Sequence, residues 1–313
     1  MKYINEFAEG DKIEDIYLIS NLVKGKTTSG NDYLSLKLQD KTNEIDSKLW
    51  QINKELLDTI KTGMFIKVKA NVIDYRDNLQ LKLEKIEIVD SATIDMSNYI
   101  KTAVLSKEEM HQLLQHFISE INDEVIQKLV KAMLNKYHEN LFDYPAASKN
   151  HHAYHGGLAY HTVSMLKLAS ALKKLYPQIN KDYLYAGIIM HDLGKIEELS
   201  GVVATEYTIK GKLLGHISIV HSELLCIAKA FKVEDLEQTM ILEHMILSHH
   251  GKLEYGSPVL PMTREAELIN YIDNIDARMD TLDKVYESID PGTFSPRVFP
   301  LENRSFYKYK ENK

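Results

Sequence analysis

The sequence has little of what would place it in a specialised class of protein. Its single cysteine excludes an internal disulfide, and the apolar stretch around Cys226 predicts a buried structural thiol. The start has no apolar targeting segment, and no apolar run approaches the length of a membrane span, so we expect a cytoplasmic protein with no membrane partner. A formal net charge of -7 argues against coating nucleic acid through bulk positive charge, but it leaves room for a local basic groove.

The composition that is present belongs to a folded protein of ordinary type. Hydrophobic residues make up 44% of the chain and charged residues 27%, as in soluble globular proteins. A length of 313 residues suffices for two domains. We predict a domain at 1–90, a linker at 91–105, a second domain at 106–290 and a tail at 291–313 that is extended and packed on the body or on a partner.

The first domain alternates between apolar and polar residues over five short runs. Strands are expected at 17–23, 33–38, 45–50, 65–73 and 79–88, with a short helix at 53–62 that stops at Gly63. Five strands with one helix between the third and fourth is the order of an OB-fold, a partly open barrel that binds oligonucleotides or oligosaccharides.

Charge and aromatic residues favour oligonucleotide binding by this barrel. From residue 20 to 85 the chain has eleven Lys and one Arg against nine Asp plus Glu, a surplus of three positive charges. Single-strand binders combine such a groove with aromatic stacking platforms. The candidates are Tyr33, Trp50, Tyr75 and Arg76. The alternative is that Trp50 belongs to the core and the tyrosines merely cover the rim.

The second domain reads as mostly helical. Ser106 and Glu109 form a capping box ahead of apolar residues at helical spacing. A β-branched stretch at 202–209 predicts a small β-hairpin that turns at Lys210 and Gly211. The predicted fold class is therefore two-domain α+β: a five-stranded barrel followed by an all-α domain with a small hairpin.

Histidines and carboxylates recur in a fixed order along this helical part. His191 and Asp192 directly follow the apolar run 184–189 and offer nitrogen and oxygen ligands for a divalent ion that polarises a phosphate. Such a pair alone is more often a satisfied core or capping pair. Its companions strengthen the metal interpretation, and they are His161, His216, His249, His250 and Asp273.

This order, with Gly194 and Lys195 just after the pair, resembles the dinuclear branch of the HD superfamily of metal-dependent phosphohydrolases. The resemblance implies a first metal held by His161, His191, Asp192 and Asp273, with Asp192 bridging to a second metal held by His216 and His249. The choice between His249 and His250 stays open, because neighbouring helical side chains point about 100° apart.

Nearby residues are interpreted more plainly. The roles of His151, His152 and His155 stay open: all three are candidates for lining the mouth of the site, and His152 is also a candidate for binding metal or substrate. Asp276 and Asp280 are interpreted as helix-surface charges. Ile272, Ile275 and Met279 are expected to face the core. Lys195 either contacts the scissile phosphate, as the family position implies, or forms a surface salt bridge with Glu198.

The OB-fold joined to an HD body, together with the motif at 151–161, resembles the YhaM-type 3'-to-5' exoribonucleases. That resemblance implies two-metal hydrolysis of single-stranded RNA, with single-stranded DNA as a further substrate, to nucleoside 5'-monophosphates. Manganese is the expected metal, and iron or cobalt suit the same nitrogen and oxygen ligands. A homo-oligomer is compatible with the sequence.

Two rival functions follow from the same residues. One is an HD-type phosphodiesterase or phosphohydrolase acting on cyclic dinucleotides or nucleotides. The cyclic-dinucleotide subgroup is disfavoured because Gly251, Lys252 and Leu253 stand where that subgroup has Gly-Tyr-Pro. The other is a catalytically inactive nucleic-acid-binding protein, which the retention of every motif position argues against.

Overall fold

A computed structural model describes residues 1–27, 30–50, 52, 54–76, 78–91, 94–148 and 152–310. The chain forms two compact units, Met1–Thr102 and Ala103–Lys313. The boundary between them falls inside the segment 91–105 that was predicted as a linker.

The first unit is a closed five-stranded barrel. Its strands are β1 (Lys12–Lys26), β2 (Asp32–Gln39), β3 (Glu44–Trp50), β4 (Phe65–Asp74) and β5 (Leu79–Val89), with helix α1 (Lys54–Thr59) between β3 and β4. The strand order is β1-β2-β3-β5-β4. β3 and β5 pair in parallel and the other neighbours pair antiparallel, with β1 joining β2 on one side and β4 on the other.

Alternation along the strands explains why these residues form a barrel. In β2 the side chains of Leu34, Leu36 and Leu38 are fully buried, whereas the residues between them point outward. The chain after β5 also packs on this unit, because the Tyr99 ring lies 5.0 Å from the Phe65 ring, measured between centroids. The first unit therefore extends beyond residue 90, the end predicted from the sequence.

The second unit is helical. Its helices are α2 (Lys107–Ser119), α3 (Glu124–Leu141), α4 (Gly157–Leu175), α5 (Lys181–Met190), α6 (Lys195–Glu198), α7 (Ile209–Phe231), α8 (Glu237–Ser248) and α9 (Arg264–Glu287). The capping box at Ser106 and Glu109 is present. All residues of α5 from Leu184 to Met190 are buried, so α5 runs through the core.

The predicted hairpin at 202–209 is wrong. Among the described residues this region has one isolated bridge, between Leu199 and Tyr207, and α7 begins at Ile209. The Thr208 hydroxyl caps the helix by accepting from the Gly211 amide. A Cβ at Gly211 would lie 2.3 Å from the Glu198 carbonyl oxygen, so this glycine allows the first turn of α7 to pack against the end of α6.

Two expectations about buried faces are also wrong. Ile272 is buried in α9, but Ile275 and Met279 are exposed, because the inward face of that helix is set by Ile269, Ile272 and Asp276. Cys226 is exposed, because its neighbours on α7 take the buried positions. By length and composition α7 is the one helix of the described chain that could cross a membrane, and its buried face contributes to the core.

The tail lies along α9. It forms isolated bridges from Phe294 to Tyr307 and from Val298 to Arg304. The Arg278 guanidinium of α9 donates two hydrogen bonds to the Glu302 carboxylate, at 2.7 and 2.9 Å. These contacts hold the tail against the second unit.

Candidate metal centre

His191 and Asp192 occupy the first turn after α5 and are both buried. The helix before them contains Gly187, where a Cβ would lie 2.5 Å from the Ile269 side chain of α9. The absence of a side chain at Gly187 therefore lets α5 pack closely on α9, the helix that carries Asp273.

The Asp192 carboxylate faces two groups of imidazoles. Its Oδ2 lies 3.2 Å from His191 Nε2 and 3.7 Å from His161 Nε2. Its Oδ1 lies 3.6 Å from His216 Nε2 and 3.8 Å from His249 Nε2. One carboxylate thus stands between two clusters of ligand atoms.

Further ligand atoms complete each cluster. Asp273 Oδ1 lies 3.2 Å from His161 Nε2 on the Oδ2 side. Ligand atoms of His161, His191 and Asp273 lie within 4.8 Å of one another, and the same holds for His216, His249 and His250. The structure brings together all the residues that the sequence proposed for the two metals, and both members of the His249–His250 pair.

The ring nitrogens of these histidines are arranged for metal binding. Nδ1 of His191, His249 and His250 lies 2.7 Å from the carbonyl oxygens of Ile188, Ile246 and Tyr255 respectively. A carbonyl only accepts, so each Nδ1 carries the proton and donates, which leaves the lone pair on Nε2. All three lone pairs are therefore available to a cation.

Several of these polar atoms lack a hydrogen bond within the described part of the chain. These buried atoms are His191 Nε2, His216 Nε2, His249 Nε2 and Asp192 Oδ1. Each buried polar group without a partner costs about 1–3 kcal/mol. Two ligand atoms about 2.1 Å from one ion stand about 3.0–3.4 Å apart. The observed separations are close to that range, so the residues fit divalent ions.

Charge in the site has the sign that metal binding requires. Burial would raise the pKa of Asp192, but the contact with His191 and the positive charge of Lys195 lower it well below its usual range, so the carboxylate is ionised. Burial, together with the neighbouring His250, lowers the pKa of His249 and keeps that imidazole neutral.

Lys195 is buried beside the pair. Its Nζ donates to Asp192 Oδ2 at 2.6 Å, and although burial lowers its pKa, the Asp192 charge more than compensates and raises it. The alternative of a surface salt bridge with Glu198 is wrong, since Glu198 accepts from His216 instead. A permanent positive charge therefore sits at the edge of the cluster.

The interpretation of Asp276 as a helix-surface charge is wrong. Asp276 is only 7% exposed, and its Oδ2 lies 2.7 Å from both His161 Nδ1 and His152 Nε2. His152 is likewise buried behind His161 rather than at a mouth. Asp280 accepts from the His152 amide at 2.9 Å, so it is not a plain surface charge either. His151 lies outside the described residues.

Sequence reasoning missed Glu198 and misread Asp276. A usable signal existed for Asp276, because it lies one helical turn after Asp273 and on the side of the buried Ile269 and Ile272. No comparable pattern marks Glu198, whose partner His216 lies 18 residues along the chain.

The nucleic-acid candidates of the barrel also lie together. The Tyr33 and Trp50 rings are 5.1 Å apart between centroids. Lys48 Nζ lies 5.9 Å from the rings of both Trp50 and Tyr75, and the Arg76 guanidinium lies 5.3 Å from the Tyr75 ring. Trp50 is 45% exposed and Tyr75 48%, so the alternative that Trp50 is a core residue is wrong.

Known proteins match both units. The HD domain family matches residues 158–278, and a family described as OB-fold nucleic acid binding domain matches residues 18–89. The 3'-5' exoribonuclease YhaM of Geobacillus sp. (strain WCH70) is 44% identical over 308 residues, which cover 98% of this chain and 95% of that protein. This chain belongs to the YhaM exoribonuclease family.

Membership of the YhaM family agrees with the fold of both units. The predicted fold, an OB-fold barrel followed by a helical HD domain, is confirmed. A family described as a putative helicase also matches residues 96–180. The sequence, however, contains no G-x-x-x-x-G-K-[ST] phosphate-binding loop.

Two solved structures are also similar to part of the chain. A domain of replication protein A from Methanococcus maripaludis is 23% identical with a TM-score of 0.25, and it covers 28% of this chain and 94% of its own. The mitochondrial single-stranded DNA-binding protein Rim1 of S. cerevisiae is 15% identical with a TM-score of 0.22, and it covers 26% of this chain and 98% of its own.

Proposed function

We propose that this chain is a metal-dependent 3'-to-5' exoribonuclease that hydrolyses single-stranded RNA to nucleoside 5'-monophosphates. The observation that carries the proposal is the Asp192 carboxylate, whose two oxygens face separate clusters of imidazole nitrogens. Membership of the YhaM family supports the substrate and the direction of attack.

The residues divide into two ligand sets around Asp192. His161, His191 and Asp273 would hold the first ion together with Asp192, and His216, His249 and His250 would hold the second together with the same carboxylate. We include both His249 and His250, because each uses Nδ1 to donate to a carbonyl and keeps Nε2 for metal. Manganese is the proposed metal, and iron or cobalt would find the same ligands.

Divalent ions bound here would supply a Lewis acid for the phosphate and an activated water. The protein itself contributes two charged side chains, Asp192 and Lys195. Asp192 stays ionised and spans both ligand sets. Lys195 keeps its ammonium charged, because its pKa is raised, and places that charge where negative charge develops on the scissile phosphate or the leaving oxygen.

The barrel is the proposed strand-binding surface. Tyr33, Trp50 and Tyr75 offer faces on which bases can stack, and Lys48 and Arg76 lie between or beside those rings. Stacking tolerates any base and either sugar, so single-stranded DNA is proposed as a second ligand. A cytoplasmic location, the absence of a membrane partner and assembly into a homo-oligomer remain predictions.

The test is hydrolysis of 5'-labelled single-stranded RNA in the presence of Mn²⁺. We expect a ladder that shortens stepwise from the 3' end, and loss of activity with EDTA or in Asp192→Ala. Asp283→Asn, an exposed carboxylate on α9, is the matched control and should keep full activity.

Two outcomes would favour the rival functions. Intact RNA together with cleavage of a cyclic dinucleotide or a nucleotide would indicate another HD-type phosphodiesterase or phosphohydrolase. RNA binding with no metal-dependent turnover of any of these substrates would indicate an inactive binding protein.

A further inference from the structure

The histidines of the metal centre differ in what holds their Nδ1 atoms. Three of them donate to backbone carbonyls. The other two donate to carboxylates: His161 to Asp276 and His216 to Glu198. Each ligand set therefore contains one histidine that is oriented by its own carboxylate.

Asp276 is held from three sides. Its Oδ2 accepts from His161 Nδ1 and His152 Nε2, each at 2.7 Å, and its Oδ1 accepts from the Ser164 hydroxyl. Three donors on the protein therefore converge on this buried carboxylate and hold it against His161. That position determines how the His161 ring is turned.

His152 is itself anchored behind Asp276. Its amide donates to Asp280 Oδ2 at 2.9 Å, and its Nδ1 lies 2.6 Å from the Tyr154 hydroxyl. Its backbone adopts a φ of 48°, a left-handed conformation that is uncommon for a residue other than glycine. The loop thus accepts backbone strain in order to place this imidazole against Asp276.

Glu198 holds His216 in a comparable way. Both carboxylate oxygens lie 3.1 Å from His216 Nδ1, and Oε1 also accepts from the His216 amide at 3.0 Å. Helix α7 is broken at Gly215, whose φ is 71°, so His216 is the first residue of the second helical segment. The Glu198 carboxylate therefore has two roles: it caps the second segment of α7, and it orients the His216 ring so that Nε2 faces Asp192.

We propose that Asp276 and Glu198 are positioning residues that act separately on the two halves of the metal centre. Asp276, backed by His152, orients His161 for the first ion, and Glu198 orients His216 for the second. A carboxylate that accepts a hydrogen bond from Nδ1 fixes the tautomer of the histidine and makes Nε2 a stronger ligand for a metal. Removal of such a carboxylate typically weakens metal affinity 10- to 100-fold. This inference rests on the proposed function, because it assumes that both ligand sets bind ions.

The cluster of His152, His161 and Asp276 is not a third metal site in this proposal. Its nitrogen-to-oxygen separations of 2.7 Å are hydrogen-bond lengths. Two ligands of one ion would stand farther apart, at about 3.0 Å or more.

The test measures Mn²⁺ binding to the full chain by calorimetry, with bound metal counted by elemental analysis after dialysis. His216→Ala leaves mainly the first set, and His161→Ala leaves mainly the second. In the His216→Ala background, Asp276→Asn should weaken the remaining site 10- to 100-fold and Glu198→Gln should change it less than twofold. In the His161→Ala background, Glu198→Gln should weaken the remaining site 10- to 100-fold and Asp276→Asn should change it less than twofold.

Matched controls are Asp283→Asn and Glu206→Gln, two exposed carboxylates near the tested positions, which should leave both sites unchanged. Melting curves in EDTA check that each variant folds. If Asp276→Asn does not fold, His152→Asn tests the same half, since asparagine tolerates a left-handed backbone. It should weaken the first site only.

The outcomes separate the two proposals. Wild-type protein that binds no Mn²⁺ would contradict the proposed function itself. Two bound ions that are insensitive to both substitutions, or equally sensitive to either, would overturn the positioning roles alone. A third bound ion lost in Asp276→Asn would show that Asp276 is a ligand instead.

Discussion

Replacing Trp50 by alanine should weaken binding of single-stranded RNA and spare metal-dependent hydrolysis of a small chromogenic phosphodiester. Trp50 is the only tryptophan of the chain and is 45% exposed. Its ring contacts Tyr33 on one side, and Lys48 stands between it and Tyr75. A base stacked on this exposed ring would lose its platform in the variant.

The size of the effect follows from stacking energies. Base stacking on an aromatic side chain is worth about 1–3 kcal/mol by alanine substitution, which corresponds to roughly 5- to 150-fold in Kd. Because the Tyr33 ring remains in Trp50→Ala, we expect the lower part of this range, about tenfold. Lys48→Gln should act differently. It should reduce the slope of log Kd against log salt concentration by about 0.7, which is the contribution of one phosphate contact to a single strand.

The assay uses the tryptophan itself. Titration of the wild-type chain with unlabelled oligonucleotide, in EDTA to prevent cleavage, should quench its fluorescence, since no other tryptophan contributes. Fluorescence anisotropy of labelled RNA then compares the variants. Tyr176→Ala removes a ring of the second unit that is 50% exposed and serves as the control. Unchanged fluorescence at saturation, or equal effects of Trp50→Ala and Tyr176→Ala, would refute the reasoning.

Three further predictions concern the remaining structure. Gly157→Ala should destabilise the protein by about 1–3 kcal/mol in thermal melting, because its Cβ would lie 2.0 Å from the His152 carbonyl oxygen; an unchanged melting temperature would contradict this packing. Deleting residues 1–102 should weaken binding of long RNA yet spare a small phosphodiester, and equal loss of both would argue against a strand-binding barrel. The Arg278 guanidinium lowers the pKa of Glu302 from 4.5 to about 2, so its stabilising contact is present above pH 4.5 and lost as pH falls toward 2. The melting difference between wild type and Glu302→Gln should therefore shrink over that window, and also in salt; a difference that grows on acidification would contradict it.

Much of the fold follows from local sequence signals. The period of two in β2 and the change to helical spacing after Trp50 predict the barrel order, because alternation and amphipathic spacing each report which face is buried. The capping box at Ser106 predicts the first helix of the second unit for the same local reason. The hairpin prediction failed because β-branched residues are a weak signal, and the Thr208 cap and the close packing at Gly211 decided for helix.

The sequence by itself determined which candidate metal ligands the chain has and their order from His161 to Asp273, since ligand chemistry belongs to the side chains themselves. The tertiary structure alone decided how those side chains are turned. Nδ1 partners such as Asp276 and Glu198 come from other turns and helices, and their distance along the chain leaves no periodic trace. It also decided that the two oxygens of Asp192 face different imidazoles, because that depends on the packing of α4, α5, α7, α8 and α9 around one carboxylate.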